Sequence, residues 1–387
     1  MLTAGKPKVL VIEGCDFEAF PIGGTLTTLK QLVSLFGDRL ALVGVSTRTA
    51  AVGKWVKRNF GGVELDFFNL KCVDPTIRKP RVPRRLDILL QLKRYKRAIL
   101  SLGLDAAFAI SPEVMLGIRG WGLRVAYLSP GVENPLIMPR YKYGRWIAGP
   151  FERTFFSALA RHTELIMAAA DDKAIERWRA RSRGLLADKR IICAPTLVDT
   201  TIFNVRRPGT RDASPVLVAC GRLNLVKGWD LIFEAFLLVK QEIPSARLRY
   251  VGDGEDRAKL EQRVRASRLT DSILITGFVP PHEVAGTLNR SDLFLLGSHW
   301  EGWPTALVEA EACGLPAVAT DVSGVSSLIQ EGKNGYIVRD RDPRTFASAI
   351  HEALAIGTPN ATSLQIAQRH SLESWKAMLA ENWEPFR

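Results

Sequence analysis

The sequence predicts an α/β protein made of two Rossmann-like domains. The chain has 387 residues, more than one ordinary hydrophobic core needs, and this length fits two domains of roughly 180–200 residues. Short apolar runs alternate along it with amphipathic runs, which is typical of parallel strands covered by helices. The alternation stops over residues 198–214 and then starts again. We therefore expect a linker there, with one domain on either side.

The elements follow one another in a regular order. Strands are predicted in the first half at residues 8–13, 41–46, 63–68, 105–110, 124–128, 165–169 and 190–193, and helices at 25–36, 86–100, 151–161 and 171–181. After the linker, strands are predicted at residues 215–220, 246–251, 272–275, 292–297, 316–320 and 336–338, with helices at 228–241 and 371–383. The predicted strands are three to six residues long, which is close to the usual length of buried strands.

Charge and cysteine content narrow the functional classes. The formal net charge is +13, which favours anionic partners such as phosphorylated ligands, acidic membranes or nucleic acid. The five cysteines are scattered and never paired as CxxC, so neither a disulfide framework nor a zinc site is predicted. The N-terminus moves directly into a strand, without a signal-peptide pattern, and no apolar run reaches the ~18 residues that span a bilayer. We expect a cytoplasmic protein.

The clearest motif is WEGWPTALVEA, residues 300–310. Pro304 suits the first turn of a helix, where a missing N–H group costs nothing, and Gly314 suits its end. Glu301 then lies in the loop before the helix, and Glu309 lies more than one turn inside it. The free N–H groups between the two carboxylates can bind an anion. The spacing suits a long ligand with a diphosphate in its middle and hydroxyl groups at both ends, although either glutamate alone could simply complement the helix dipole.

A second motif, GRLNLVKG at residues 221–228, follows a strand and precedes a helix. Arg222 and Lys227 are therefore expected at the carboxyl edge of the sheet, where open α/β folds bind ligands. A guanidinium and an ammonium group there can neutralise a departing diphosphate without a metal ion. Taken alone, the same loop could hold its charges in solvent.

Three glycine turns complete the pattern. VGDG (residues 251–254) and GFVP (residues 277–280) each follow a strand, and GFVP can present backbone groups to a nucleobase. PIGG (residues 21–24) follows the first strand and allows the backbone to approach a phosphate. The candidate residues in these turns are Gly23, Gly24, Gly252, Gly277, Phe278 and Val279.

Together these motifs resemble the retaining GT-B glycosyltransferases, in particular glycosyltransferase family 4 (glycosyl transferases group 1). The similarity covers nearly the whole chain and is most specific in residues 216–338, where GRLxxxKG, VGDG, TGFVP, the two-glutamate motif and GLPAVATDVSG follow one another. It implies two Rossmann-like domains facing a central cleft, with a C-terminal helix that crosses back to the first domain. We accordingly place the acceptor-side domain at residues 1–200 plus the returning segment 366–387, and the donor domain at 201–365.

The resemblance also implies a role for each matching residue. Glu301, Arg222 and Lys227 would be catalytic, with the two cations on the donor diphosphate and Glu301 on the transferred sugar. Glu309 would bind the ribose hydroxyls of the donor. Backbone groups of Gly302, Trp303, Pro304 and Thr305 would contact sugar and phosphate, and Gly23 and Gly24 match the family's N-terminal glycine loop.

The chain departs from the family pattern on the acceptor side. Many members carry a histidine after the strand that here covers residues 125–128, whereas this chain reads YLSPGVENPL and has no histidine before residue 162. The candidates for that position are Ser129, Glu133 and Asn134. The histidines at 162, 299 and 351 are interpreted as structural, with a weaker case for His299 touching ligand because it lies beside the two-glutamate motif.

No metal site is predicted, because no histidine, cysteine or carboxylate cluster has ligand spacing. Asp340-Arg341-Asp342 imitates an Asp-x-Asp metal motif, but Asp342 precedes Pro343 and a helix and is predicted to be its N-cap. We expect no cofactor beyond the nucleotide sugar.

We expect transfer of a hexosyl unit from a UDP- or GDP-linked sugar. No metal ion is expected, because Arg222 and Lys227 can supply its electrostatic role, and the resemblance implies retention of anomeric configuration. The acceptor would be a lipid-linked glycan in cell-surface polysaccharide or glycolipid assembly. The alternatives are a transferase for small-molecule or protein acceptors, another GT-B activity such as nucleotide-sugar epimerisation or hydrolysis, a non-catalytic nucleotide-sugar-binding protein, and a basic nucleic-acid-binding protein. Nucleic acid is not expected as a partner, since no RRM, helix-turn-helix or zinc-knuckle signature accompanies the charge.

Residues 78–97, RKPRVPRRLDILLQLKRYKR, hold nine Lys/Arg and one acid. Leucines on one side of a helix and cations on the other are typical of an interfacial anchor. Residues 140–153 add four aromatic rings among four cations, a mixture suited to lipid headgroups. We expect peripheral binding to an anionic surface, the inner face of the plasma membrane. The alternative is that this helix only covers the sheet.

Overall fold

The computed structural model describes residues 8–21, 24–77, 82–130, 144–168, 172–194, 197–206 and 214–387. The chain divides into two compact units. Unit 1 comprises Met1–Thr196 together with Trp375–Arg387, and unit 2 comprises Leu197–Ser374.

Unit 1 is built on an eight-stranded sheet with the order β3-β4-β2-β1-β5-β6-β7-β8. All neighbours pair in parallel except β3 and β4. The strands are β1 (Val9–Ile12), β2 (Leu40–Ser46), β3 (Trp55–Phe60), β4 (Val63–Cys72), β5 (Ala106–Ala109), β6 (Arg124–Ser129), β7 (Leu165–Ala168) and β8 (Ile191–Cys193). The helices are α1 (Gly24–Phe36), α2 (Arg84–Leu100), α3 (Pro112–Ile118), α4 (Gly144–His162) and α5 (Asp172–Arg181).

Two elements of unit 1 were not predicted. Strand β3 is an antiparallel edge strand whose half-exposed positions carry charge, and Lys57 pairs with Asp66 at 3.1 Å. An edge strand needs only one apolar side, so its sequence lacks a continuous apolar run. Helix α3 has seven residues, too few for a helical period to stand out.

Helix α4 is longer than predicted because it continues through Pro150. A proline in a helix interior removes one backbone hydrogen bond, and the predicted helix begins only after Pro150, at residue 151. The Thr154 hydroxyl donates to the Pro150 carbonyl oxygen at 2.8 Å.

Helices α2, α3 and α4 share one hydrophobic core with the sheet. Helix α2 buries Ile88, Leu92 and Ile99 in that core, while Leu86 and Leu90 stay exposed. The predicted apolar side of α2 is therefore divided: part of it covers the sheet and part of it faces solvent.

Unit 2 is built on a six-stranded, wholly parallel sheet with the order β11-β10-β9-β12-β13-β14. The strands are β9 (Val216–Cys220), β10 (Arg247–Val251), β11 (Ile273–Ile275), β12 (Leu293–Leu296), β13 (Ala317–Thr320) and β14 (Gly335–Val338). The helices are α6 (Trp229–Glu242), α7 (Arg257–Ala266), α8 (Pro281–Leu288), α9 (Thr305–Ala312), α10 (Val325–Leu328), α11 (Pro343–Leu354) and α12 (Ala361–Arg369).

The unit boundaries differ from the predicted ones at both crossings. Residues 198–206, the described part of the expected linker, pack onto unit 2. Val198 and Phe203 are buried in the core that contains α9, and the Val198 N–H donates to the His370 carbonyl at 3.0 Å. Residues 366–374, expected to return to the first domain, also stay with unit 2 because Ile366 and Ala367 of α12 are buried in the same core.

The chain ends in α13 (Leu372–Asn382) and a 3-10 turn, Glu384–Phe386. From Trp375 onward this segment belongs to unit 1. Phe386 is buried and stacks on Phe36 with ring centroids 4.3 Å apart, and the Arg39 guanidinium donates to the Phe386 carbonyl at 3.0 Å. The C-terminal segment is thus part of the packing of unit 1.

None of the helices in the described part of the chain is both long and apolar enough to cross a bilayer.

Candidate active site

The strand order of unit 2 reverses between β9 and β12. The chain runs from β9 to β10 and β11 in one direction, then places β12, β13 and β14 on the other side of β9. The carboxyl ends of β9 and β12 meet at this switch point, which is where open α/β sheets bind ligands. Both principal sequence motifs follow these two strands, so the sheet brings them together.

The loop after β9 is closed by a short turn and packs on the end of β12. The Asn224 side chain accepts a hydrogen bond from the Lys227 N–H at 3.1 Å, closing the turn Leu225–Lys227. Gly228 has φ +64, and a Cβ there would lie 1.7 Å from the Gly297 carbonyl oxygen. Only glycine permits this approach. The His299 N–H also donates to the Val226 carbonyl at 2.8 Å.

Lys227 and Glu301 form an ion pair across the switch point. The Lys227 Nζ lies 2.7 Å from Glu301 Oε1 and 2.8 Å from Oε2. The Ser298 hydroxyl donates to Oε1 at 2.6 Å, and Ser298 is itself held by the Thr320 hydroxyl, which donates to its carbonyl at 2.6 Å. Glu301 is only 7% exposed. Its carboxylate is therefore fixed by three donor contacts at the edge of the sheet.

Arg222 supplies a second cation on the same loop. Its side chain is exposed, and within the described residues it has neither an ion-pair nor a hydrogen-bond partner. A cation that has no counterion among the described residues is available to an anionic ligand.

Glu309 lies in a different environment from Glu301. It is the fifth residue of α9, and in the described part of the chain its carboxyl group has no hydrogen-bond partner. Burial raises the pKa of Glu309 from 4.5 to about 7. Burial raises the pKa values of the Cys220 and Cys313 thiols, and the nearby Glu309 charge raises them further, so Glu309 lies near the end of β9. Among the described residues, no contact joins it to the Lys227–Glu301 pair.

The residues between the two glutamates are partly packing residues. The Trp303 ring is buried against the His370 ring, with centroids 5.3 Å apart, and a Cβ on Gly324 would lie 2.7 Å from it. Pro304 is buried, while Gly302 and Thr305 are half-buried. Trp303 thus anchors the loop that carries Glu301.

The glycine turns after β10 and β11 pack beside the loop after β9. Gly252 has φ +143, and a Cβ there would lie 2.0 Å from the Gly221 carbonyl oxygen. Gly252 also forms an isolated bridge with Gly277. The next residue, Phe278, is 84% exposed, and Val279 is half-buried. The carboxyl edge of unit 2 therefore presents an exposed aromatic ring.

Arg341 is a site residue that sequence reasoning missed. Its guanidinium donates to the Gly297 and Ser298 carbonyls at 2.8 and 2.9 Å and contacts the His299 ring at 3.0 Å. It thereby holds the loop after β12. The signal was present in Asp340-Arg341-Asp342, where only the acids were considered. Asp342 accepts from the Arg344 N–H at 2.8 Å and is the N-cap of α11, as predicted.

Unit 1 has its own switch point, between β1 and β5. Glu13 follows β1 and accepts hydrogen bonds from the Ser111 hydroxyl and, at 2.9 Å, from the Ser111 N–H. Burial and the nearby Glu113 raise the pKa of Glu13 to about 7. Sequence reasoning missed this carboxyl group, although its position directly after the first strand was a signal.

The acceptor-side candidates are only partly described. Ser129 ends β6, is buried, and is hydrogen-bonded to the Tyr127 side chain. Glu133, Asn134 and Gly23 lie outside the described residues, and Gly24 begins α1. Over the described ranges, no group of three or more His, Cys, Asp or Glu side chains is arranged to hold a metal ion.

Known proteins are similar to this chain in sequence and in fold. The profile of the family described as glycosyl transferases group 1 matches residues 202–369, inside unit 2. A phosphatidylinositol N-acetylglucosaminyltransferase subunit of Arabidopsis thaliana is 31% identical over 360 residues, covering 91% of this chain and 76% of that protein. This chain belongs to the glycosyl transferases group 1 family.

Other members match over a shorter length. A putative colanic acid biosynthesis glycosyltransferase, WcaL of Salmonella typhimurium, is 31% identical over 203 residues, or 51% of this chain and 49% of that protein. The match thus spans about half the length of that relative.

The similarity to solved structures covers nearly the whole chain. Sucrose-phosphate synthase from Thermosynechococcus elongatus superposes with a TM-score of 0.73 at 15% identity, over 98% of each chain. Anabaena HepE in complex with UDP-glucose gives a TM-score of 0.65 at 16% identity, over 97% of this chain and 99% of that one. The predicted fold class is confirmed: this is the GT-B fold, with two Rossmann-like domains.

Proposed function

We propose that this group 1 family member transfers a hexosyl unit from a UDP- or GDP-linked sugar to an acceptor hydroxyl. The observation that carries the proposal is the Lys227–Glu301 pair across the switch point of unit 2. It joins the two loops that flank the expected ligand position, and Arg222, which is unpaired among the described residues, lies on one of them.

In this reaction the bond from the anomeric carbon to the diphosphate oxygen breaks, a bond to the acceptor oxygen forms, and the acceptor proton passes to the departing diphosphate. Negative charge develops on the departing diphosphate. Lys227 and Arg222 would stabilise this charge. Stabilisation of charge that develops in the transition state is usually the largest single contribution to enzymatic rate acceleration. Glu301, held by Ser298, would accept hydrogen bonds from the sugar hydroxyls and orient the ring. Retention of anomeric configuration is proposed on the family resemblance.

The nucleotide would bind along the same edge. Ionised Glu309 would accept hydrogen bonds from the two ribose hydroxyls, and the exposed Phe278 ring would stack on the base. Backbone groups at Gly252, Gly277 and residues 302–305 would contact base, phosphate and sugar. That a structural neighbour was solved with UDP-glucose supports a uridine donor.

A thermal-shift panel of UDP, GDP and ADP sugars tests the donor class, since a ligand at a hundred times its Kd stabilises by about 2.7 kcal/mol. Stabilisation by a UDP or GDP sugar that disappears in Arg222→Ala/Lys227→Ala supports the proposal. Equal stabilisation of that double variant would overturn the assigned site.

We propose that transfer needs no metal ion, because Lys227 and Arg222 can supply the charge a metal would supply. Turnover in excess EDTA should equal turnover in buffer. Loss of activity in EDTA with recovery on adding manganese would contradict this.

We further propose a lipid-linked glycan acceptor and peripheral binding to the inner face of the plasma membrane. Two relatives support this: one is named for glycosylating phosphatidylinositol and another for colanic acid biosynthesis. On unit 1, Leu86 and Leu90 are exposed on the basic helix α2, and Trp146 and Ile147 are 84% and 57% exposed near the start of α4. The acceptor would bind on unit 1 near Ser129, with Glu133 and Asn134 as further candidates.

Liposome sedimentation tests the membrane contact. Binding to phosphatidylglycerol vesicles should weaken with salt and fall in Leu86→Ser/Trp146→Ser, because those side chains would insert among the lipids. Leu185→Ser, an exposed apolar position of unit 1 outside α2 and α4, is the control. Equal recovery with neutral and anionic vesicles would contradict the proposal.

A further inference from the structure

Unit 1 carries an open groove of about 480 Å³ between the end of α3 and the C-terminal half of α4. Its volume is in the range of small-ligand sites. Its polar lining consists of Arg119, Arg153, Thr154, Ser157, Arg161 and His162. None of the described residues that line it is acidic, so the groove is strongly positive.

The helical period explains how α4 builds one wall. Arg153, Ser157 and Arg161 are spaced i, i+4 and i+8, so their side chains lie in one row on the helix surface. Arg119 comes from the turn after α3 and faces this row across the groove.

The three arginines of the groove have no counterion among the described residues. Several other arginines of unit 1 pair with acids, as Arg58 does with Glu18 and Arg181 with Glu152. Throughout the described residues, Arg119, Arg153 and Arg161 have neither an ion-pair nor a hydrogen-bond partner. Because like charges repel, a groove that gathers three of them is stabilised by a bound anion.

The helix dipole explains only part of this arrangement. Arg161 and His162 lie in the last turn of α4, where cations offset the partial negative charge of the helix end. Arg153 lies in the middle of the helix, and Arg119 is not on α4. These two arginines need another explanation.

The groove lies away from the switch point of its own sheet. Arg119 and Gly120 precede β6, and Arg161 and His162 precede β7. Both strands are parallel to their neighbours in the sheet, so these residues lie at its amino edge. Glu13 and Ser111 mark the opposite, carboxyl edge.

We propose that this groove is a second anion site, which binds a ligand with clustered phosphoryl groups. Guanidinium groups bind phosphate oxygens bidentately, and three of them with the Ser157 hydroxyl can serve two neighbouring phosphoryl groups. The ligand is either a free oligophosphate or a phosphomonoester lipid headgroup.

Isothermal titration with inorganic tripolyphosphate tests the free-anion source. The titrated protein is Arg222→Ala/Lys227→Ala, so that the donor site does not contribute. Adding Arg153→Ala/Arg161→Ala should weaken binding about tenfold or more. Adding Arg177→Ala/Arg190→Ala, which removes the same charge from exposed positions of unit 1 that are unpaired among the described residues, should leave binding within about twofold.

Sedimentation of the same proteins with phosphatidylcholine vesicles containing phosphatidic acid tests the lipid source. Loss that is specific to the Arg153/Arg161 variant in either assay supports the site and identifies its source. Absence of binding in both assays, or equal loss in the Arg177/Arg190 control, overturns it. Circular dichroism and thermal unfolding of the variants should match the parent, because none of these side chains is part of the hydrophobic core. Because the measured quantity is binding without the donor cations, the result is independent of the proposed transfer activity.

Discussion

At the scale of single residues, the two glutamates of one motif have opposite electrostatic environments. Glu301 is buried but bonded to Lys227 and Ser298, so its charge is compensated. Glu309 is half-buried without a partner among the described residues, and its pKa is raised to about 7. We interpret the first as a fixed carboxylate and the second as a carboxyl group whose ionisation is left for a ligand to stabilise.

Lys227→Ala should lower turnover by about 10² to 10³, because losing one stabiliser of developing charge costs about 2.7–4 kcal/mol in the barrier. The measurement is kcat with a saturating UDP or GDP sugar. Lys333→Ala, an exposed lysine of unit 2, should retain parental turnover. A Lys227→Ala enzyme within a few-fold of the parent would refute the assignment.

Glu309→Gln should make the protein more stable at pH 8 and a weaker binder of donor. The folded-state pKa of about 7 exceeds the ordinary 4.5, so the folded protein holds a proton that the unfolded chain releases between these values. Stability therefore falls as pH rises through this window and stays low above it. At ~1.4 kcal/mol per pH unit, the variant should gain up to about 3 kcal/mol at pH 8 and less than about 1 kcal/mol at pH 5.

Urea unfolding at both pH values, together with donor titration, checks this. Glu352→Gln, at an exposed glutamate of the same unit, should change neither quantity. A Glu309→Gln protein that binds donor as tightly as the parent would leave Glu309 with a structural role only.

At the scale of elements, the site depends on how closely two βα loops approach. The loop after β9 contacts the end of β12 at Gly228 and Gly297, and Arg341 holds the other side of the same backbone. Direct backbone contact sets how the two loops lie against each other. A single methyl group added at Gly228 would therefore push them apart.

Gly228→Ala should lose several kcal/mol of stability and most donor binding, because its Cβ would lie 1.7 Å from a carbonyl oxygen. Gly332→Ala is the matched control: it has a similar positive φ of +76 but open space around the added atom. It should cost only about 1–2 kcal/mol for the left-handed conformation. Denaturant midpoints and nucleotide titrations of the two variants are compared. Equal losses of stability in both would show that the left-handed backbone conformation, and not the contact with Gly297, sets the cost.

At the scale of the whole molecule, the chain leaves unit 1 at residue 196 and rejoins it at residue 375. The last residues are integral to unit 1: Phe386 packs on Phe36, Phe108 and Trp383, and the Trp383 indole N–H donates to Glu164 at 3.0 Å. The family match lies wholly within the other unit.

Phe386→Ala should destabilise unit 1 by about 3–5 kcal/mol, the usual result of emptying a buried phenylalanine site. Phe278→Ala removes the same ring from a position that is 84% exposed, so it should leave unfolding unchanged and weaken nucleotide binding instead. Calorimetry of both variants separates the effects. A Phe386→Ala protein with parental transitions would show that the C-terminal segment contributes little to the packing of unit 1.

The sequence by itself determined the order of most strands and helices, the loop position of Glu301, the helical position of Glu309 and the N-cap role of Asp342. These features depend on neighbours within one or two turns, which periodicity and capping rules describe. Only the tertiary structure joined Lys227 to Glu301, 74 residues apart, and Ser111 to Glu13, 98 residues apart. It also packed residues 198–206 of the expected linker onto unit 2 and gathered the arginines of the groove. Such contacts follow from sheet order and from which surface each side chain reaches, and neither is encoded in local spacing.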